Sequence, residues 1–147
     1  MSDNKMKLDE YWPYQAVVLG DLVSRHTTSV LKRHGELNLS QWRVLAAVAE
    51  KEGRTAAEVV AVTPMDKGIV SRATAALVKS GHIKKREDAS DKRRTHLYIT
   101  PTGSDSYYKI LSDLRNETQN ITNSTQLNDD LLRIIGEMQQ IVDCSRS

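Results

Sequence analysis

The sequence predicts a mainly α-helical fold carrying one small β-hairpin. Three observations lead there. Apolar residues recur at helical spacing over most of the 147 residues, and Phe is absent while Pro occurs three times. Between residues 64 and 103 the pattern changes to a short helix, a basic strand, a charged turn and a second strand. Two short helices follow a longer one immediately before that hairpin. A helix-turn-helix trailed by a charged hairpin is the layout of a winged helix-turn-helix, whose second short helix is placed for a DNA major groove.

The elements follow in order. Residues 9–34 carry Tyr14, Val17, Val18, Leu22, Val23, Val30 and Leu31 close to one stripe, and Gly35 is a left-handed stop. Ser40 is expected to cap a second helix over 41–51, with Trp42, Leu45, Val48 and Ala49 inward. Thr55 and Glu58 have capping-box spacing for a third helix with Ala56, Val59 and Val60 inward, which must stop before Pro64. Asp66 caps the fourth helix, which ends at Gly81. Ile83 opens the first strand, residues 88–91 are a turn by composition, and Thr95, Leu97 and Ile99 alternate with polar neighbours in the second. Thr100-Pro101 starts a long fifth helix with Tyr107, Ile110, Leu111, Leu114, Thr118 and Ile121 along one side. Asn128 is expected to cap a sixth, whose stripe of Leu131, Ile134, Ile135, Met138, Ile141 and Val142 is more apolar than one small partner needs.

Composition narrows the chemistry. The length suits one domain, residues 1–147, with a core that needs no metal. Net charge is only +2, but residues 81–96 concentrate Lys84, Lys85, Arg86, Lys92, Arg93 and Arg94 against Glu87, Asp88 and Asp91. Cys144 is the single cysteine, so an intrachain disulfide and a multi-thiolate zinc site are excluded. His26, His34, His82 and His96 lack ligand-pair spacing, and no metal or other cofactor is expected. No nucleophile elbow, phosphate-binding glycine loop or carboxylate pair appears, so no enzymatic activity is expected. No apolar run is long enough to span a bilayer and the first residues lack a signal layout, which sets the expectation of a cytoplasmic protein.

On a helical wheel centred on Ala73, residues Asp66, Ile69, Val70, Ala76 and Leu77 fall on the buried side of the fourth helix. Lys67, Gly68, Ser71 and Ala75 point outward, flanked by Arg72 and Thr74. Small residues let a backbone approach base edges, and Lys67, Arg72, Ser71 and Thr74 can donate to bases or phosphates. An ordinary solvated, alanine-rich face fits the same residues. The hairpin tips the balance, because six cations suit a phosphate backbone better than an isolated turn. Lys85, Lys92, Arg93 and Arg94 are the candidate wing contacts, with Asp91 expected to hold the Arg93 guanidinium in a fixed direction toward a minor groove. The alternative there is an intramolecular salt-bridge turn.

These residues also carry a family resemblance. Asp88, Asp91, Arg93, Leu97, Ile99, Thr100 and Gly103 stand at the spacing of the wing signature of the MarR (multiple antibiotic resistance regulator) family. Met65-Asp66-Lys67 with Val70-Ser71-Arg72-Ala73 resembles that family's recognition helix, and Leu39 with Trp42-Arg43-Val44-Leu45 its second helix. The likeness is collinear from about residue 10 to 143, with Ala89, Lys92 and His82 departing from the usual residues. It implies a homodimer in which helices 9–34 and 101–143 form an α1–α5–α6 dimerisation layer and residues 37–100 a DNA-binding lobe. It further implies binding to a pseudo-palindromic double-stranded operator, commonly as a repressor, and release by a small phenolic or anionic ligand. Tyr11, Trp12, His26, Trp42 and Arg43 are candidate liners of such an effector pocket, although aromatics in these places also suit a dimer core. The rival readings are a winged-helix protein-interaction module and a low-specificity DNA coater. The absence of aromatic or Leu anchors on the outer face of the fourth helix weighs against the first.

Overall fold

The computed structural model describes residues 4–121 and 125–147, which fall into two compact units, one ending at Leu114 and the other beginning at Arg115. A 3-10 turn (Leu8–Glu10) leads into α1 (Trp12–His34), which Gly35 ends at φ 72° with its N–H on the Leu31 carbonyl at 2.9 Å. Then come α2 (Leu39–Glu50), β1 (Arg54–Thr55), α3 (Ala56–Val62) and α4 (Lys67–Lys79), followed by β2 (Ile83–Glu87), β3 (Thr95–Ile99), α5 (Pro101–Thr118) and α6 (Thr125–Cys144). The fold is mainly α with a hairpin, as the sequence predicts, but the sheet has three strands. β1 pairs antiparallel with β3, giving the order β1-β3-β2. No helix of the described residues is long and apolar enough to cross a membrane.

Several starts differ from expectation. The cap of α2 is Asn38, not Ser40: its side chain accepts from the Gln41 N–H at 2.9 Å while Gln41 Oε1 accepts from the Asn38 N–H at 3.0 Å. This reciprocal box satisfies two orphan donors at once, which Ser40 alone cannot do. Thr55 and Asp66 do cap α3 and α4, accepting from the N–H groups of Glu58 and Ile69. Ala56 is exposed rather than inward, since the seven-residue α3 turns only Val59 fully into the core. Thr100 caps α5 through Gly103, but that helix stops at Thr118 and leaves Ile121 outside it. α6 already begins at Thr125, so Asn128 lies in its first turn and is not its cap.

The core is one cluster in which Val30 and Leu31 of α1 meet Val44, Leu45 and Val48 of α2, Val59, Val70 and Leu77, the strand residues Ile83 and Leu97, and Ile110 of α5. Trp42 joins it, stacked on Tyr107 with ring centroids 5.5 Å apart. His82 is buried where an aliphatic residue is expected. It is held by polar partners instead: Nδ1 lies 2.6 Å from Ser80 Oγ, and Nε2 3.3 Å from Ser106 Oγ and 3.5 Å from Glu36. Ser106 also donates to Glu36, and that bond is the main cause holding the Glu36 carboxyl below its usual range. The α5 N-terminus packs backbone to backbone on this corner, because Gly103 has no side chain to strike the His82 carbonyl.

Candidate nucleic-acid interface

An open groove of about 670 Å³ runs between α3, α4 and the hairpin. Lys67 and Ser71 enter it from α4, Lys85 from β2, and Arg93 and Arg94 from the hairpin turn. Thr55 and Glu58 complete the α3 side, a contribution the sequence reading does not include. Four cations therefore face one acid across the groove. Among the described residues none of Lys67, Lys85, Arg93 and Arg94 has an ion-pair partner. An anion laid along the groove would meet cations from three elements.

Local structure explains why these residues converge. Asp66 fixes the start of α4 by accepting from Ile69 at 2.8 Å, which sets Lys67 and Gly68 in its first turn. Lys67, Gly68, Ser71, Arg72 and Ala75 are all exposed, as the wheel requires. Thr74 is not. It is 3% exposed where it lines the groove, and its Oγ1 has no hydrogen-bond partner among the described residues. The wheel placed it on the flank because a lone helix carries no information about the neighbour that covers that flank.

The turn of the hairpin also departs from expectation. Asp91 does not hold the Arg93 guanidinium. Its carboxylate accepts from the Arg93 backbone N–H at 2.9 Å, and its carbonyl from the Arg94 N–H at 3.0 Å. A carboxylate two residues before an N–H closes on the backbone more readily than on a long, mobile side chain. Asp91 thus shapes the turn from which Lys92, Arg93 and Arg94 project. Asp88 works at the other end, accepting from the N–H and hydroxyl of Ser90 at 2.9 Å each, while its own N–H bonds the Arg94 carbonyl at 2.9 Å.

His96 anchors the hairpin to the body of the lobe. Its Nε2 lies 2.9 Å from Asp88 Oδ2 and its Nδ1 2.7 Å from the Gly53 carbonyl in the loop before β1. The hydrogen bond with His96, together with those from Ser90, drives the Asp88 carboxyl far below its usual range. The bond to Asp88, then that to Gly53, raises the His96 imidazole above its ordinary value. Two other basic residues of this region do structural work: Arg54, buried, donates to the Ala47 carbonyl at 2.5 Å at the end of α2, and Arg86 lies over the Tyr98 ring at 5.2 Å.

The five effector candidates are not gathered into one place. Tyr11 and Trp12 are exposed where α1 begins, whereas His26 lies fourteen residues further along the same helix, about 21 Å at helical rise. Trp42 is in the core, and Arg43 donates to Ser24 Oγ at 3.2 Å between α2 and α1.

Comparison with known proteins agrees with this geometry. Residues 36–94, the stretch from the end of α1 through the hairpin turn, match the family model described as MarR family. The HTH-type transcriptional regulator TtmR of Methylorubrum extorquens is 27% identical over 101 residues, covering 69% of this chain and 51% of that protein. The matched region thus spans about half the length of that relative. A MarR-family transcriptional regulator from Silicibacter pomeroyi superposes with a TM-score of 0.75 at 21% identity, covering 90% of each chain. A Staphylococcus aureus MarR solved in complex with salicylate and kanamycin superposes with a TM-score of 0.72 at 20% identity, covering 92% of each. At such identities these two likenesses are of fold alone.

Proposed function

Since the chain belongs to the MarR family of winged-helix, DNA-binding transcription regulators, we propose that it acts as a homodimer on a pseudo-palindromic double-stranded operator. The observation that carries this is the groove, where cations from α4, β2 and the hairpin turn, without ion-pair partners among the described residues, flank a helix with a small outer face. In this reading Lys67, Gly68, Ser71, Arg72 and Ala75 approach the major groove. Lys85, Lys92, Arg93 and Arg94 engage phosphates and the neighbouring minor groove, with Asp91 setting their backbone. Thr74 supports the groove floor.

Dimerisation is supported by bare apolar surface. In α1, Val17, Leu19, Leu22 and Val23 are exposed, and in α6 Leu132, Ile135 and Ile141. Two-fold symmetry would set two copies of α4 about one DNA turn, ~34 Å, apart. Repression is the mode the family resemblance favours. The complex of the Staphylococcus aureus protein with salicylate supports testing release by a phenolic acid here.

Selection of bound sequences from a random duplex library, with and without phenolic acids, tests the whole reading. A palindrome of two half-sites is the expected product, and recovery of unenriched sequence defeats it. On a recovered duplex, Arg93→Ala should weaken binding by about 1–3 kcal/mol if the side chain reaches a base edge. Unchanged affinity in an anisotropy titration takes Arg93 out of the interface.

A further inference from the structure

The groove explains where DNA would lie, but not what holds the wing in place against it. The loop before β1 is held to β3 by the Gly53 N–H on the Leu97 carbonyl and by Glu52, which accepts from the Ile99 N–H. His96 adds a tie from that loop to the hairpin's Asp88 through both ring nitrogens. Neither partner has a hydrogen to give. The Gly53 carbonyl is an acceptor only, and Asp88 is an ionised carboxylate already receiving two bonds from Ser90. Two contacts of 2.7 and 2.9 Å to pure acceptors require both nitrogens to carry a proton.

We propose that His96 is a positioning residue for DNA binding, and that its imidazolium form holds the wing in the orientation that presents Arg93 and Arg94. The inference rests on the reading of the hairpin as a DNA-binding wing. His96 itself need touch no DNA. On losing one proton the ring keeps a single donor, and one of the two contacts becomes lone pair against lone pair. The hairpin turn then loses its tie either to Gly53 or through Asp88. The Asp88 end also organises the turn, because its N–H bonds the Arg94 carbonyl.

The surroundings fix the sign. Asp88 at the end of β2 and Glu58 on α3 both favour the imidazolium. Arg86, paired with His96 across β2, opposes it, but its guanidinium rests over the Tyr98 ring. The guanidinium of Arg54 on β1 is turned to the Ala47 carbonyl and Glu50. With the His96 value raised, the pinned wing is fully present below the ordinary histidine range and is lost as pH rises through the raised value. Asp88, with its value depressed, stays ionised throughout that window and gives way only in strong acid.

The test is operator affinity against pH at fixed salt, from about pH 6 to about pH 9, for the wild-type chain and His96→Gln on a duplex recovered by the selection above. Wild-type affinity should fall as pH rises, by up to about tenfold per pH unit once His96 deprotonates, the limit for one linked proton. His96→Gln should bind more weakly at low pH and show a flat profile. A wild-type profile that is flat, or a variant profile parallel to the wild type's, overturns the proposal. Because the variant can also fail through folding, the His96 imidazole is titrated by NMR in the wild-type chain, free and on the duplex. A value above the ordinary one, raised further by DNA, is expected, and an ordinary value unmoved by DNA overturns it. Wild-type protein that binds no duplex at any pH instead removes the DNA-binding reading itself, a different result from binding that ignores pH.

Discussion

Two helices of this chain treat their apolar stripes in opposite ways. The twelve residues of α2 bury Trp42, Val44, Leu45, Ala47 and Val48, whereas the twenty residues of α6 bury none, although its stripe of Leu131, Ile135, Met138 and Ile141 is as regular. Helical periodicity gathers apolar side chains onto one face by geometry, and does so equally well for both. Whether that face leaves water depends on what is brought against it. In α2 the partners are α4, β3, α1 and α3. In α6 no residue is buried, and the proposed second copy is the partner that would cover its stripe.

The comparison can be broken by truncating matched residues. Leu45→Ala, in a fully buried position, should cost about 2–5 kcal/mol in denaturant unfolding, the range for a leucine cavity in a packed core. A loss below 1 kcal/mol would mean that the lobe is packed far more loosely than described. Gly103→Ala sharpens the contrast from the other direction. Its Cβ would collide with the His82 carbonyl oxygen, an atom of the backbone that cannot swing away. A destabilisation of about 1–3 kcal/mol is expected from such overpacking, read as a lower midpoint in thermal or chemical unfolding. The smallest effect belongs to Ile135→Ala. At a position 62% exposed it should change the stability of the isolated chain by no more than about 0.5 kcal/mol, yet weaken self-association measured by sedimentation. Equal loss of chain stability from Leu45→Ala and Ile135→Ala would erase the distinction.

The same division runs through the candidate site. The outward set of α4 was legible because it depends only on the angle between successive residues. Lys67, Gly68, Ser71, Arg72 and Ala75 are all exposed, and Asp66 caps the helix as its position demands. Thr74, expected on the outer flank, is buried at the groove, because the angle along one helix carries no information about what the fold packs against that flank. Asp91 was assigned to a side chain and instead holds a backbone N–H, the nearer donor. β1 left no signal, since two residues have no period, and its pairing with Leu97 and His96 joins positions more than forty apart. His96 went unrecognised for the same reason. One of its partners is eight residues away and the other forty-three.

What the chain's order of residues determined by itself is everything settled within a turn or two of backbone. That includes the helical stripes, the Gly35 stop, the Thr55 and Asp66 caps, the hairpin and the basic character of its turn. Those features rest on bonds between near neighbours, whose distances follow from local geometry alone. Tertiary structure decided the rest: which stripe is covered, that Gly103 must stay bare beneath the His82 carbonyl, and that two acceptors from distant segments meet one imidazole. Those outcomes depend on where chain folding delivers remote groups, and spacing along the sequence carries no measure of that.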